Sequence, residues 1–347
     1  MRALVKYGNK PGELEIREVP VPEIGPEDVL LQTKAVGICG WDIEMWQHKM
    51  ANPVAVPVIQ GHEFCGVIAK VGRNVSGWKE GDRVVSETGA VICGKCPQCI
   101  TGNYHLCGGR KGFGYGVDGA FTDYVKVRQG CLHRIPDNVS FDHASLTEPG
   151  CVAYQALAVL SNVRPGRPVL IIGPGPIGLF CLQVAKASGA GPIIVVGTDR
   201  GAARLECARK LGAALTINGS KENAREIIME KTNGEGIPLV VDAAGNKHAL
   251  KLAVDVVARQ GQITKIGWGP EPIDYSLDPL LSKGVRLQGT FSHNWPSWEA
   301  VIAMIGQGTL QIEPMISHRI RIDQWLETFE AIHSGQGVKA IMLFNQD

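Results

Sequence analysis

A glycine-rich turn at residues 173–178, Gly-Pro-Gly-Pro-Ile-Gly, restricts the fold of this chain more than any other segment. Glycine-rich hexamers are common in turns, but this one directly follows the apolar run Pro168–Ile172 and opens a helical stretch. In that context Gly173, Gly175 and Gly178 allow a tight turn and a close backbone approach to a pyrophosphate at the helix N-terminus. The turn therefore predicts a strand and helix that bind a dinucleotide.

A carboxylate stands where such a unit would bind the adenosine ribose. Asp199 comes 21 residues after Gly178, just past the apolar run Ile193–Val196. A carboxylate at the end of the second strand can hydrogen-bond both ribose hydroxyls, which favours NAD over NADP. The neighbouring Arg200 could instead accept a 2′-phosphate, so NADP remains an alternative. A plain strand, turn and helix with a surface aspartate is the other interpretation.

Strand and helix patterns alternate through the middle of the chain. With the two apolar runs already named, four more give six strands separated by helical stretches, which is typical of a doubly wound parallel sheet. The further runs are Ala214–Ile217, Leu239–Ala243, Gln262–Ile266 and Val285–Gln288.

The first 150 or so residues have a different character. Gly and Pro interrupt short β-rich runs at Asp28–Val36, Phe64–Val71 and Phe121–Val127, and no long helix is evident, which suits a small irregular β-barrel. A β-rich, mixed pattern returns from about Phe291. A chain of 347 residues can bury two cores, so two domains are expected.

Charge and hydropathy exclude some classes of partner. Lys and Arg total 35 against 34 Asp and Glu, which leaves no basic field for nucleic acid. The apolar stretches, such as Val169–Ile172, are far shorter than a bilayer crossing, and Glu13 and Glu15 come too early for a signal peptide. We therefore expect a cytoplasmic protein without a nucleic-acid or membrane partner.

Four cysteines lie within fifteen positions and predict a metal site. They are Cys93, Cys96, Cys99 and Cys107, the number of thiolates that a closed tetrahedral zinc site needs. Disulfides are disfavoured in a reducing compartment, and unrelated buried thiols would rarely have this spacing. Because protein would fill all four positions, this zinc would be structural. A zinc-finger binder of nucleic acid would need a basic patch that the charge balance does not provide.

A second set of candidate ligands is dispersed. Cys39, His62, Glu63 and Glu148 are each, taken alone, more typical of a packing thiol, a core imidazole or a solvated carboxylate. An open zinc site needs three protein ligands of mixed type and one position free for a substrate oxygen. These residue types are the ones that such a site uses.

Motifs along essentially the whole chain resemble those of the zinc-containing medium-chain dehydrogenase/reductase family, and within it the sorbitol and polyol dehydrogenase branch. They occur in the family's order: Gly37-Ile38-Cys39-Gly40, Gly61-His62-Glu63, the four cysteines, Gly119-Ala120-Phe121-Thr122-Asp123-Tyr124, Glu148-Pro149 and the glycine turn. The resemblance implies a GroES-like β-barrel catalytic domain interrupted by a Rossmann domain with a doubly wound parallel sheet. We expect the catalytic domain at 1–152, the NAD-binding domain at 153–290 and a return to the catalytic domain at 291–347.

The resemblance also implies roles for individual residues. Cys39, His62 and Glu148 would bind a catalytic zinc, Glu63 would lie behind the metal or exchange into its ligand set, and Asp42 would orient His62. With the structural site this makes two zinc ions per chain. Glutamate rather than cysteine at 148 favours the polyol branch. Residues near the cofactor would be Ile177, Arg204, Ile266, Thr290 and Phe291.

Some positions depart from the family pattern. Trp41 stands where a Ser or Thr hydroxyl usually relays the substrate proton, and indole can donate a proton but cannot relay one. Glu44 replaces a frequent relay histidine, and we expect it to act in proton transfer. Ser292, followed by His293, replaces the arginine of the polyol branch.

The resemblance implies a zinc-dependent, NAD-linked oxidoreductase that oxidises a secondary hydroxyl of a polyol, sugar or cyclitol to a ketone. Alternatives are a threonine-type or simple secondary-alcohol dehydrogenase, or a cofactor-binding protein that has lost catalysis. The partner would be a small polar alcohol, and we expect a homo-oligomer, either a dimer or a tetramer.

Overall fold

The computed structural model describes residues 1–50, 53–269 and 271–345. Within these residues the strands form three sheets. The strands are β1 (Arg2–Lys6), β2 (Leu14–Glu18), β3 (Asp28–Ile38), β4 (Val58–Ile59), β5 (Glu63–Val71), β6 (Arg83–Ser86), β7 (Tyr124–Arg128), β8 (Leu132–Arg134), β9 (Val169–Ile172), β10 (Ile193–Gly197), β11 (Leu215–Asn218), β12 (Ile237–Asp242), β13 (Val257–Lys265), β14 (Arg286–Gly289), β15 (Ile316–Ile320) and β16 (Lys339–Leu343).

The helices are mostly short, and none in the described part of the chain is long and apolar enough to cross a membrane. They are α1 (Gly40–Trp46), α2 (Pro97–Ile100), α3 (Phe141–Ala144), α4 (Thr147–Tyr154), α5 (Pro176–Ala187), α6 (Ala202–Lys210), α7 (Ala224–Lys231), α8 (Lys247–Val256), α9 (Asp278–Lys283), α10 (Trp295–Gly306) and α11 (Trp325–His333). A π-helical segment, Gln155–Val159, continues α4.

The predicted doubly wound sheet is confirmed. Its six strands are all parallel and lie in the order β11-β10-β9-β12-β13-β14. Counted from β9, this is the 3-2-1-4-5-6 order in which the strand order reverses beside the first strand. The apolar run Val169–Ile172 is fully buried in β9, as expected when helices cover both faces of a parallel sheet. The glycine turn therefore lies at the reversal point, where such sheets bind ligands.

The other two sheets agree with the predicted GroES-like barrel. One has the order β2-β1-β4, and the larger has the order β15-β16-β3-β5-β6-β8, with β7 also paired to β3. In the larger sheet β16 pairs antiparallel with β3, so that Ile341 faces Gly37. Strands from opposite ends of the chain thus lie side by side.

The segment after Phe291 differs from the expectation of a β-rich pattern. It contains the 12-residue helix α10, which buries Trp298, Val301, Ile302 and Ile305. This spacing of three and four residues is helical, and the proline near the start of the helix suits a first turn. Helix α10 packs against α4. Since α4 carries Glu148, this contact bears directly on the site.

Candidate active site

Strand pairing brings the first three candidate ligands together. Cys39 follows β3 and caps α1, whereas His62 directly precedes β5, whose first residue is Glu63. Strands β3 and β5 are antiparallel partners, with Gly37 opposite Glu63. A Cβ atom on residue 37 would lie 2.0 Å from Glu63 Oε2, so the glycine makes room for the carboxylate.

The ligand atoms of Cys39, His62 and Glu63 all lie within 4.8 Å of one another. Donor atoms around a tetrahedral zinc at ~2.0–2.3 Å are about 3.3–3.8 Å apart, so modest side-chain adjustment would suffice. A thiolate, an imidazole and a carboxylate are also the donor types that zinc accepts at an open site. The residues present therefore fit zinc.

Asp42 lies beneath this cluster and is fully buried. Its Oδ2 atom accepts a hydrogen bond of 2.8 Å from the Cys39 backbone N–H, which fixes the start of α1. Its Oδ1 atom is 3.6 Å from His62 Nδ1, a distance for charge attraction rather than a hydrogen bond. Burial would lower the pKa of His62, but the neighbouring Asp42 and Cys39 together outweigh it and raise that pKa well above its usual value.

Lys339 was not anticipated from the sequence. It is fully buried in β16, where its Nζ atom lies 2.8 Å from Glu63 Oε1 and 2.6 Å from Oε2, and donates to the Ile38 carbonyl at 2.8 Å. Burial would lower the pKa of Lys339, but the Glu63 carboxylate raises it. The sequence did contain a signal for a buried charge, because Lys339 is a lone lysine within the apolar run from Val338 to Leu343.

Glu148, in the first turn of α4, lines the same cavity as Cys39 and His62 but lies outside their close group. Its Oε1 atom is 3.0 Å from His293 Nε2, and Trp298 Nε1 donates to His293 Nδ1 at 2.8 Å. Because indole N–H can only donate, Nδ1 accepts and Nε2 carries the proton that it donates to Glu148. His293 and Trp298, from the α10 segment, thus orient this carboxylate.

A cavity of about 230 Å³ opens above these residues. It is lined by Cys39, His62 and Glu148, by Trp41, and by four residues predicted to lie near the cofactor, namely Ile177, Ile266, Thr290 and Phe291. Glu44 lies on α1 and is not among the lining residues. Its side chain reaches solvent, but the surrounding protein removes part of the hydration of its carboxylate and so raises its pKa. Its part in proton transfer stays a prediction.

The glycine turn has the geometry that a dinucleotide needs. Gly173 has φ of 101°, and a Cβ atom there would lie 2.8 Å from the Ala244 nitrogen. A Cβ atom at Gly178 would lie 2.0 Å from the Gly173 carbonyl oxygen, whereas one at Gly175 would meet nothing within 4 Å. The first and third glycines therefore permit close packing, and the second leaves open space for the cofactor.

A second cavity, of about 790 Å³, lies beside the turn and is lined by Gly173, Gly175 and Arg204. Arg200 lines this cavity, whereas Asp199, two residues after β10, does not. The Asp199 side chain is exposed, and its Oδ1 atom accepts from Asn218 Nδ2 at 2.6 Å and lies 3.2 Å from Lys221 Nζ. These contacts lower the pKa of Asp199. The Arg200 guanidinium donates to the His333 backbone carbonyl. The ribose role of Asp199 stays a prediction.

The four-cysteine lobe brings its sulfurs together without a disulfide. All four lie within 4.8 Å of one another, with Cys93 and Cys99 at 3.9 Å and Cys96 and Cys99 at 3.5 Å. Sulfurs at ~2.3 Å from a tetrahedral zinc would be about 3.8 Å apart. Backbone N–H groups of Lys95 and Cys96 lower the pKa of Cys93 to about 6, which favours a thiolate. The lobe fits a closed zinc site.

Both halves of the chain match families of known proteins. The family described as Alcohol dehydrogenase GroES-like domain matches residues 25–137, and Zinc-binding dehydrogenase matches residues 176–307. A sorbitol dehydrogenase from Halalkalibacterium halodurans is 35% identical over 343 residues, covering 99% of both chains. A D-arabitol-phosphate dehydrogenase from Enterococcus avium is 32% identical, covering 100% of this chain and 98% of the relative.

A solved structure has the same fold along nearly the whole length of this chain. A zinc-binding dehydrogenase from Sinorhizobium meliloti bound to NADP superposes with a TM-score of 0.90 at 28% identity, covering 99% of both chains. Fold, ligand sets and relatives together define a zinc-dependent alcohol dehydrogenase that uses NAD(P). The chain belongs to the zinc-containing medium-chain dehydrogenase/reductase family and is similar to its polyol dehydrogenases.

Proposed function

We propose that this enzyme oxidises a secondary hydroxyl of a polyol, sugar or cyclitol to a ketone, with NAD as hydride acceptor. The observation that carries the proposal is the small cavity into which Cys39, His62 and Glu148 open beside Ile177 and Phe291. Its volume of about 230 Å³ suits a small substrate. Relatives named for sorbitol and for D-arabitol phosphate support a polyol substrate.

Zinc, when bound, supplies Lewis acidity that eases deprotonation of a hydroxyl, and NAD supplies the hydride acceptor. We propose that Cys39, His62 and Glu148 bind the metal and that Glu63, neutralised by Lys339, lies behind it or exchanges with Glu148. His293 keeps Glu148 in one orientation through its hydrogen bond. Both carboxylates thus have a partner that limits their movement.

The remaining proposed contacts position the cofactor. Ile177, Ile266, Thr290 and Phe291 would border the nicotinamide and exclude water from the reacting carbon, since they line the cavity that contains Cys39. Gly173, Gly175 and Gly178 would accommodate the pyrophosphate, with Asp199 at the ribose and Arg204 near the adenine. Precise placement of the two reactants is itself a large part of catalysis in such enzymes.

We also propose the domain division 1–152, 153–290 and 291–347. Strands β9 to β14, which form the parallel sheet, span Val169–Gly289. Strands β15 and β16 belong instead to the sheet that contains β3. Helix α10 packs on α4 at the junction, so the catalytic cavity would be bounded by both domains.

A substrate panel tests the proposed function. Zinc-replete enzyme with NAD would be assayed for NADH production with polyols, cyclitols, sugar acids, L-threonine and simple secondary alcohols, and the ketone product would be identified. The highest kcat/KM is expected with a polyol, sugar or cyclitol framework. Preference for L-threonine or a simple secondary alcohol would replace the proposal with that alternative. Absence of turnover across the panel would favour lost catalysis.

Cofactor preference follows from Asp199. We expect a higher kcat/KM with NAD than with NADP, because the carboxylate would repel a 2′-phosphate. Asp199→Asn should lower the NAD to NADP ratio by about 10- to 100-fold, the range for losing a charged hydrogen bond. Asp274→Asn, which removes another exposed aspartate paired with a lysine, serves as the control. A wild-type preference for NADP would instead assign the ribose pocket to Arg200.

Proton transfer gives a separate prediction. Trp41 lines the cavity but cannot accept a proton, so Glu44 on the same helix is expected to act as the base. Glu44→Gln should lower kcat/KM at neutral pH by about 10²–10⁴-fold and flatten the acidic limb of the pH profile. Glu230→Gln, exposed on α7, is the matched control. An unchanged pH profile in Glu44→Gln would remove Glu44 from the mechanism.

A further inference from the structure

We propose that Arg110 forms an anion-binding subsite in the catalytic cavity, and that the preferred substrate carries a carboxylate or a phosphate in addition to the hydroxyl that is oxidised. The inference rests on the proposed function and narrows its substrate class. Arg110 was not among the residues that the sequence motifs singled out. It lines the same cavity as Cys39, His62 and Glu148.

The backbone of Arg110 is anchored by the four-cysteine lobe. Its N–H donates to the Cys107 carbonyl at 3.0 Å, and the next residue, Lys111, forms a β-bridge with Val91. A metal-bound lobe would therefore present this arginine to the cavity in a defined place. The lobe lies at the edge of the active site, so its structural role would extend to substrate recognition.

Every polar contact of the guanidinium is with a neutral hydroxyl. Nη2 donates to Thr88 Oγ1 at 2.8 Å and lies 3.4 Å from Ser292 Oγ, while Nη1 donates to Tyr115 Oη. The guanidinium carbon also lies 5.6 Å from the centre of the Phe291 ring. In the described part of the chain, no ion pair within 4.0 Å includes Arg110. The cation is oriented but has no counter-charge.

The nearest acidic side chain along the chain does not fill this role. Glu87 precedes Thr88, but its Oε1 atom accepts from the Tyr104 hydroxyl at 2.7 Å and lies 3.2 Å from His133 Nε2. Glu148, which also lines the cavity, is engaged by His293. Both carboxylates are therefore committed to other partners.

A half-buried cation that has only neutral hydroxyl partners loses hydration without gaining a counter-charge. An anionic group of the substrate would supply the missing counter-charge and compensate for the lost hydration. The planar guanidinium has five N–H donors in a rigid fork, which matches the paired oxygens of a carboxylate or phosphate. Thr88 and Tyr115 use only part of this donor set, so donors remain for a ligand.

Two further unpartnered groups line the cavity. Trp41 Nε1 and Thr290 Oγ1 are buried and have no hydrogen-bond partner within the described residues. The Trp41 ring lies edge-on to Tyr115, with 6.1 Å between ring centres, next to the guanidinium. The indole N–H can only donate, so an oxygen of a bound ligand would be a suitable acceptor for Trp41 Nε1.

The test compares a matched substrate series: D-glucitol as the neutral polyol, D-gluconate as the carboxylate and D-glucitol 6-phosphate as the phosphate. Wild type, Arg110→Met and Arg110→Lys would be assayed with NAD, and Lys111→Met would serve as an exposed neighbouring control. Binding of gluconate and of glucitol phosphate to the zinc-replete enzyme with NADH would be measured by calorimetry. Melting temperatures would verify that each variant folds.

We expect wild type to prefer one of the anionic substrates, and the preferred member identifies the source of the anion. Arg110→Met should raise KM and Kd for that substrate by about 10- to 100-fold, with a clearly smaller loss for glucitol, and Arg110→Lys should restore part of the affinity. Lys111→Met should leave the series unchanged. Equal losses on neutral and anionic substrates would assign Arg110 a structural role and overturn the inference.

The measurements distinguish failure of the Arg110 subsite from failure of the proposed polyol oxidation. Efficient oxidation of glucitol, with no preference for the anions and no selective effect of Arg110→Met, would retain the polyol dehydrogenase and discard the anion subsite. Weaker binding of gluconate or glucitol phosphate to Arg110→Met, without turnover of any polyol, would retain the subsite and discard the proposed oxidation.

Discussion

Cys39→Ala is expected to lower the zinc content from two ions per chain to one and to reduce kcat/KM by about 10³-fold or more. The cause is loss of a thiolate donor from the group that includes His62 and Glu63, and with it several kcal/mol of Lewis-acid stabilisation of the transition state. His62→Ala should have the same effect on activity without unfolding the protein. Elemental analysis and initial rates of NADH formation measure both quantities.

A matched control separates loss of metal from loss of a thiol. Cys181→Ala removes a buried thiol on α5 that belongs to neither ligand group, and should retain both ions. Wild-type protein that contained one zinc, unchanged by Cys39→Ala, would show that the open site is assigned wrongly. The zinc contents of Glu63→Gln and Glu148→Gln would establish which carboxylate the metal requires. The comparison is needed because only Glu63 lies close to both Cys39 and His62.

Cys107→Ser is expected to remove the other zinc and to lower stability before it lowers activity. Structural zinc contributes folding free energy directly, and loss of one buried ligand of four should cost about 4 kcal/mol. For a domain of this size that corresponds to a fall in Tm of about 8–16 °C. Scanning calorimetry with and without a zinc chelator measures the effect.

The controls for this variant lie in the same lobe. Lys95→Ala changes an exposed side chain between Cys93 and Cys96 and should leave Tm and zinc content unaltered. Chelator should lower the Tm of wild type toward that of Cys107→Ser and should change the variant little. If Cys107→Ser kept two zinc ions and the wild-type Tm, the lobe would not be a metal site.

Much of the fold was predictable because its strands correspond to local apolar runs in the sequence. The apolar runs around Gly173 and Asp199 became β9 and β10 with boundaries shifted by one residue, since burial on both faces of a parallel sheet leaves a continuous apolar signal. Helix α10 was missed. Its apolar residues Trp298, Val301, Ile302 and Ile305 are helically spaced, but they follow an irregular segment from Phe291 to Asn294.

The sequence motifs predicted candidate ligands for the site, but not the residues that pair with them. Cys39 and His62 belong to short motifs, whereas Lys339 is 276 residues from the Glu63 carboxylate that it neutralises. His293 is likewise 145 residues from Glu148. No local pattern encodes such pairs, because they arise only when the strands and helices pack. Arg110 was overlooked for the same reason. It becomes a candidate for binding an anion only because the folded cavity provides no counter-charge for its guanidinium.

The pairing of β16 with β3 has a consequence for biosynthesis. Lys339, which neutralises the buried Glu63, leaves the ribosome 300 positions after Cys39. Until β16 docks, the Glu63 carboxylate has no cation beside it, and burying it in the barrel is unfavourable. The catalytic metal pocket would therefore form only after translation has passed Lys339. Chains terminated before that residue would lack a competent catalytic zinc centre, although the four cysteines of the other site would already have been made.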